Sequence, residues 1–182
     1  GPPPVLSSFF HSYHFPLYQA YSAAILKREN YDVEVLDAAV DALTLDQYMK
    51  KIHEIKPDII IMEVSTPSFE HDQTTINRVM EEAGIPVFLI GPHATVFHNE
   101  LVKNYEGVKG VIRGEYEYGI LDLVRCMSSD GDLQKVDGLT HKAGDQVIIN
   151  RGRCYIRELD SLPFPARKMY QWERYHEPVY MN

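Results

Sequence analysis

The sequence predicts an α/β fold in which a doubly wound parallel sheet carries helices on both faces. Helical segments alternate with short apolar runs along most of the chain, and a glycine follows one of these runs directly. Such alternation is typical of βαβ units, whose crossover helices cover the two faces of a parallel sheet. The composition agrees, since 182 residues with 45% hydrophobic content can bury one core.

The first part of the chain predicts two helices and two strands. An amphipathic helix is expected over residues 16–30, and the alternation of residues 33–36 predicts a strand after it. Thr44 can cap a second helix, which Pro57 ends. The apolar run over residues 58–62 is typical of a strand that is covered on both faces.

The same alternation continues through the middle of the chain. It predicts in turn a helix, a strand, a short helix, a strand and a helix, over residues 70–83, 86–90, 99–105, 108–112 and 116–127. These elements extend the parallel sheet and its covering helices.

The last third predicts a C-terminal β-hairpin and an extended linker. Residues 136–140 and 146–150 have the alternation of strands, and they flank the turn Ala143-Gly144-Asp145. From Arg153 onward the chain is rich in proline and aromatic residues, which is typical of a linker.

The strand that normally precedes the first helix of such a sheet is not obvious. Only residues 1–15 come before that helix, and prolines occupy positions 2–4. Two alternatives remain: residues 5–10 form this strand, or it lies outside the sequence.

Charge and composition exclude several kinds of partner. The net charge is −8 with a pI near 5.4, and no dense Lys/Arg run offers a footprint for nucleic acid or an anionic membrane. No apolar stretch approaches the roughly 20 residues of a membrane span. Cys126 and Cys154 form neither a disulfide framework nor CxxC spacing, so a reducing cytoplasm is the expected compartment.

Candidate binding residues follow the ends of three predicted strands. Ser65 and Thr66 follow one strand, Gly91 begins a predicted turn after the next, and Arg113-Gly114-Glu115 follow the third. Parallel strands open at one edge of the sheet, where ligands bind, so we expect these residues to line one cleft. The hydroxyls offer hydrogen bonds, and the glycines allow a large, flat cofactor to approach the backbone. His93 lies just past the second strand end and could face the same cleft.

Structural roles are open for the same residues. Ser65 and Thr66 could cap a helix, and Glu115 could complement a helix dipole or pair with Arg113. His11 and His14 belong to the loop before the first helix. There they could reach a metal, although two histidines without supporting carboxylates are more typical of surface or packing positions.

The sequence gives no sign of catalysis by this chain alone. It has no paired carboxylates, nucleophile–base pair, GxGxxG or Walker-type loop, and we assign no catalytic residue and no metal ligand. A nucleotide-binding enzyme on this fold is disfavoured for the same reason.

Together, the motifs of this chain resemble the N-terminal cobalamin (B12)-binding domain of B12-dependent radical SAM enzymes, particularly the anaerobic magnesium-protoporphyrin IX monomethyl ester oxidative cyclase-like branch. The resemblance covers nearly the whole chain. The motifs that carry it are Pro2-Pro3-Pro4, Val35-Leu36-Asp37-Ala38, Lys56-Pro57-Asp58, Ser65-Thr66-Pro67-Ser68, Gly91-Pro92-His93-Ala94-Thr95, Arg113-Gly114-Glu115-Tyr116-Glu117, Gly138-Leu139-Thr140 and residues 159–166.

The resemblance implies a Rossmann-like (flavodoxin-like) cobalamin-binding domain over residues 1–130, a β-hairpin appendage over 131–160 and a linker over 161–182. The linker would lead to a radical SAM barrel of the same parent chain, which holds a [4Fe-4S] cluster and S-adenosylmethionine on a CxxxCxxC motif that is absent here. The parent enzyme would catalyse methyl transfer or oxidative cyclisation.

The resemblance also implies a set of cofactor-binding residues. They are Ser65, Thr66, Pro67, Gly91, Pro92, His93, Thr95, Gly114 and Glu115. The family often has a second glycine at the position of Ile90 and a small residue at that of Tyr116, so bulk there is expected to narrow the pocket. The DxHxxG signature is absent, which implies base-off cobalamin without a dedicated histidine ligand. The alternative is a Rossmann-like docking or substrate-recognition domain that no longer binds cobalamin.

Overall fold

A five-stranded, mostly parallel sheet forms the centre of the structure, a computed structural model that describes residues 14–175. The strands lie side by side in chain order: β1 (Ile60–Glu63), β2 (Val87–Ile90), β3 (Val108–Ile112), β4 (Leu139–Ala143) and β5 (Gln146–Ile149). The first three are parallel. β4 pairs antiparallel with β3 and forms a hairpin with β5, which lies at the edge of the sheet.

Six α-helices are assigned in the described part of the chain: α1 (Leu17–Arg28), α2 (Leu45–Ile55), α3 (Phe69–Ala83), α4 (Pro92–Val96), α5 (His98–Asn104) and α6 (Glu117–Ser128). The helices cover both faces of the sheet. Alternate side chains of β2 show this, since they enter different core clusters. Phe88 packs with α1 and α6, whereas Leu89 packs with α2, α3 and α5. The predicted doubly wound α/β fold is confirmed.

The start of α2 shows why many helix bounds agree with the sequence. The Thr44 hydroxyl accepts a hydrogen bond from the Gln47 backbone N–H (3.2 Å), and the Gln47 side chain accepts one from the Thr44 backbone N–H (2.8 Å). This capping box satisfies two backbone donors that the first helical turn leaves free. Lys56, in the left-handed conformation, then ends the helix.

Two local predictions are wrong. Residues 33–36 form no strand, because alternation becomes a strand only beside a hydrogen-bonded neighbour, and no described strand adjoins them. The residues that could have supplied that neighbour, 5–10, lie outside the described residues, as does His11. The second difference is α4, which occupies the segment expected to be a turn. Pro92 at its first position is pre-set for a helix and needs no N–H partner there.

The predicted linker packs back onto the domain as far as the structure describes it. The Ala166 backbone N–H donates a hydrogen bond to the Ala20 carbonyl (2.9 Å) in α1. Tyr170 is buried, and the Tyr175 hydroxyl donates to the Asp37 carboxylate (2.8 Å). Residues 153–175 thus lie against the fold in irregular form with short 3₁₀ turns. In the described residues, no helix is long and apolar enough to cross a membrane.

Candidate functional site

Side-chain hydrogen bonds join the loops at the carboxyl ends of β1, β2 and β3. The Thr66 hydroxyl lies 3.0 Å from His93 Nδ1, which links the first loop to the second. The Thr95 hydroxyl accepts a hydrogen bond from the Gly114 backbone N–H (3.0 Å), which links the second loop to the third. The structure therefore brings these four residues to one edge of the sheet.

The backbone conformation at position 91 requires glycine. Its φ of +98° and ψ of 175° are open to glycine and strained for other residues. A Cβ there would lie 2.9 Å from Glu63 Cγ and 3.2 Å from the Val64 carbonyl oxygen. The glycine thus lets β2 turn directly into α4 against the end of β1, and Pro92 is exposed beside it.

Gly114 is the glycine that leaves space for a ligand. Its φ is +74°, and a Cβ built on it would meet no atom of residues 14–175 within 4 Å. Its N–H is already engaged by Thr95, so the loop is held in place while the Cα face stays open. Open backbone at a strand end is what a large, flat cofactor requires.

The loop after β1 is organised by two serines. Ser68, and not Ser65 or Thr66, is the N-cap residue of α3, so the expected capping role of these two is wrong. The Ser68 hydroxyl donates to the Asp72 carboxylate (2.7 Å), and the hydroxyls of Ser65 and Ser68 lie 2.8 Å apart. Burial raises the pKa of Asp72, and the bond from Ser68 opposes that rise. Ser65, Thr66 and Pro67 all remain exposed at the edge.

Aromatic and apolar side chains surround His93. Its ring lies 4.8 Å from both Phe69 and Phe97, centroid to centroid. Val96 is 68% exposed and Phe97 42% exposed, so α4 ends in an apolar surface. Such a surface suits an apolar ring system better than a small charged ligand.

Glu63 is a site residue that the sequence analysis missed. Its side chain lies against Gly91, and its Oε2 accepts a hydrogen bond from the Gln19 side chain at the start of α1. Partial desolvation raises the pKa of the Glu63 carboxyl. The signal was a single charged residue at the end of the apolar run that forms β1.

The two bulky departures from the family pattern point into the core. Ile90 and Tyr116 are both buried in the cluster between the sheet and helices α1 and α6. The expectation that they narrow the pocket is therefore wrong. The Tyr116 hydroxyl has no hydrogen-bond partner in the described chain, and desolvation, followed by the charge of Glu63, raises its pKa.

Arg113 and Glu115 do not pair with each other, contrary to one expectation. Arg113 donates from Nε to the Gly138 carbonyl (3.1 Å) and from Nη2 to the Asn150 carbonyl (2.5 Å). Glu115 Oε2 accepts from the Ile156 backbone N–H (2.8 Å). Both residues thereby fix the chain around the hairpin to the end of β3.

The described histidines, cysteines and carboxylates do not converge on a metal site. No group of three or more of these side chains within residues 14–175 is placed to hold a metal ion. His14 is exposed at the start of the described chain.

The doubly wound fold and the loops at the carboxyl ends of β1, β2 and β3 define a class of α/β domain. Domains of this class bind ligands at the carboxyl ends of their parallel strands. A family model, the B12 binding domain, matches residues 5–124. The chain belongs to that family, which agrees with the resemblance seen in its motifs.

Individual relatives match most of this chain in sequence. An uncharacterized methyltransferase of Pyrococcus horikoshii is 28% identical over 88% of this chain and 35% of its own length. An anaerobic magnesium-protoporphyrin IX monomethyl ester cyclase of Rubrivivax gelatinosus is 30% identical over 88% of this chain and 30% of its own. The chain thus spans about a third of the curated relatives it matches.

A solved structure agrees on the fold. The cobalamin-dependent S-adenosylmethionine radical enzyme OxsB, with aqua-cobalamin and S-adenosylmethionine bound, superposes with a TM-score of 0.75. The match covers 88% of this chain and 23% of that one at 18% identity.

Proposed function

We propose that this chain holds cobalamin across the carboxyl ends of β1, β2 and β3, as the cobalamin-binding domain of a radical SAM enzyme. The observation that carries the proposal is the open face of Gly114 within loops that are fixed to one another. Membership of the B12 binding domain family supports the choice of ligand.

Each loop has a part in holding the cofactor. Ser65, Thr66 and Pro67 offer exposed hydroxyls and an apolar ring on one side. On the other, Gly114 gives close approach to backbone, and Glu115 fixes the chain behind it. Between them lie Gly91, Pro92, His93 and Thr95, of which the last two hold the neighbouring loops in position.

Bound there, cobalamin would supply a cobalt centre able to carry a methyl group or an electron. The names of two relatives, a methyltransferase and a cyclase, support methyl transfer or cyclisation as the reaction of the parent enzyme. We propose that a radical SAM barrel of the same parent chain, with its [4Fe-4S] cluster and S-adenosylmethionine, carries out that reaction. The two free cysteines, Cys126 and Cys154, fit a reducing cytoplasm.

The rival function, a docking domain that has lost cobalamin, drew its support from bulk at Ile90 and Tyr116. Both side chains are buried in the core and leave the edge open. No observation in the described residues favours the rival over a binding domain.

A matched pair of glycine variants tests the proposal. An added Cβ at Gly114 (φ +74°) or Gly84 (φ +66°) meets no atom of the described chain within 4 Å, but Gly84 ends α3 away from the site. Leucine at either position costs similar backbone strain, about 1–2 kcal/mol. Titration with hydroxocobalamin should show that Gly114→Leu loses most of the affinity while Gly84→Leu keeps it. Equal affinity of the two variants would contradict the proposed site.

A further inference from the structure

A cavity of about 270 Å³ adjoins the site on the side of the β4–β5 hairpin. We name it the Arg113 cavity. Its lining includes Thr95, His98, Arg113, Gly114, Gly152 and Arg153. It shares Thr95 and Gly114 with the proposed cofactor site and opens at the end of β3.

The Arg113 guanidinium lies half-buried in this cavity, and none of the described residues is its counter-ion. Its two hydrogen bonds in the structure go to neutral backbone carbonyls, those of Gly138 and Asn150. Within residues 14–175, no carboxylate lies within ion-pair distance of it. A guanidinium has five N–H groups, so three remain for a ligand. A cation in this state favours an anionic partner.

The other charged side chains of the described lining, Arg153 and Glu115, have hydrogen-bond partners of their own. The Arg153 guanidinium pairs with the Asp122 carboxylate. Glu115 is the one carboxylate of the described lining, and its Oε2 accepts the Ile156 backbone N–H. The positive charge of Arg113 is also felt by His98, whose pKa is lowered by desolvation and then by that charge.

The backbone leaves room beside Arg113. Cβ atoms added to Gly114 or Gly152 would meet no atom of the described part of the chain within 4 Å, so two sides of the cavity are bare peptide there. Bare backbone lets tetrahedral oxyanions come close to fixed dipoles and cations. A planar guanidinium is suited to hold two such oxygens at once.

We propose that the Arg113 cavity is a subsite for a phosphate-class anion, with Arg113 as its anchor. This inference rests on the proposed function, because cobalamin carries a phosphodiester in its nucleotide loop and the cavity adjoins Gly114. Free inorganic phosphate offers the same chemistry, so the experiment separates the two sources.

The experiment compares hydroxocobalamin with cobinamide, a corrinoid that lacks the phosphodiester and the nucleotide base. Arg113→Gln should weaken cobalamin binding by roughly tenfold or more, the usual effect of losing a charge-assisted hydrogen bond, and leave cobinamide binding unchanged. Arg113→Lys keeps the positive charge but loses the paired N–H donors of the guanidinium. Its affinity for cobalamin should lie between those of the unaltered chain and Arg113→Gln. Arg151→Gln is the matched control, since Arg151 lies just after the same hairpin and pairs with Asp137 in an exposed position.

A second variant probes the cavity without touching Arg113. Gly152→Leu fills space that is empty in the structure, and the backbone at Gly152 is not left-handed. It should reproduce the loss of cobalamin affinity and spare cobinamide. If Arg113→Gln and Gly152→Leu change both corrinoids equally, or change neither, the phosphate subsite is wrong while the proposed function stands.

Inorganic phosphate decides the remaining case. If the unaltered chain binds neither corrinoid, the proposed function fails, and the thermal midpoint is measured with phosphate alone. If phosphate raises the thermal midpoint of the unaltered chain but not that of Arg113→Gln, the result supports an anion subsite. An equal rise in both, or no rise in either, overturns it.

Discussion

The Thr95 hydroxyl accepts a hydrogen bond from the backbone N–H of Gly114 at 3.0 Å. This single contact joins the loop after β2 to the loop after β3 and orients the open face of Gly114. A parallel bond between Thr66 and His93 joins the loops after β1 and β2. The edge is therefore pre-organised, and pre-organisation lowers the entropic cost of ordering loops around a ligand.

Removing the Thr95 hydroxyl should loosen this edge. Thr95→Val deprives the Gly114 N–H of its acceptor, which we expect to cost about 1 kcal/mol of folding free energy and to weaken cobalamin binding several-fold. Thr74→Val is the control, because the Thr74 hydroxyl faces out of α3 and donates only to the Glu70 carbonyl (3.4 Å). Equal cobalamin affinity in the two variants would show that the contact does not shape the site.

Substitution of Gly91 should lower the free energy of unfolding. Gly91→Ala places a methyl group 2.9 Å from Glu63 Cγ in a backbone conformation that suits only glycine, and we expect a loss of about 3 kcal/mol. Gly84→Ala, in open space, should lose about 1 kcal/mol. Urea unfolding measures both. Similar losses would mean that the close approach of β1 and β2 is unimportant.

Acid should destabilise the domain through His141. This side chain is buried in β4, and burial lowers the pKa of His141 despite the opposing effects of the Lys142 backbone and of the Asp132 charge. Between the unfolded pKa near 6.5 and the lower pKa of the folded state, the unfolded chain binds more protons than the folded one. The folded state therefore loses stability as the pH falls through this window.

The comparison of unfolding at pH 7.5 and 5.5 isolates this effect. The unaltered chain should lose more stability between the two than His141→Leu, which cannot be protonated. His98, whose pKa is also lowered, and Glu63, whose pKa is raised, are present in both proteins and cancel. An identical pH dependence would rule His141 out.

Tyr170 tests whether the C-terminal segment belongs to the fold. Its ring is 8% exposed and meets Phe15 edge to face at 5.1 Å between centroids. Tyr170→Ala should cost about 3 kcal/mol, while Tyr155→Ala, at a position that is 79% exposed, should change stability little. A negligible effect at Tyr170 would show that the segment is a free linker.

The sequence predicted best where local chemistry decides the outcome. The Thr44 capping signal and the buried runs of β2 and β3 needed no tertiary information, and the structure has those elements within two residues of the predicted bounds. The predicted strand over residues 33–36 is wrong because the alternation is visible in the local sequence, whereas a strand also needs a hydrogen-bonded neighbour from elsewhere in the chain. The sequence predicts a turn at Gly91, although Pro92 directly after it also suits the first position of a helix.

Site residues divide in the same way. Strand-end glycines and hydroxyls could be found from the sequence, because parallel strands share one edge. Glu63 could not be singled out, since its role comes from contact with Gly91 and Gln19, which belong to other elements. The burial of Ile90 and Tyr116 likewise depended on which way each side chain faces.

The most direct test is to incubate this chain with hydroxocobalamin, remove free ligand by gel filtration, and record the visible spectrum and cobalt content of the protein peak. We expect one corrinoid per chain with a base-off spectrum, retained by Gly84→Leu and lost by Gly114→Leu. A protein peak free of corrinoid would contradict the proposal that this edge of the sheet binds cobalamin.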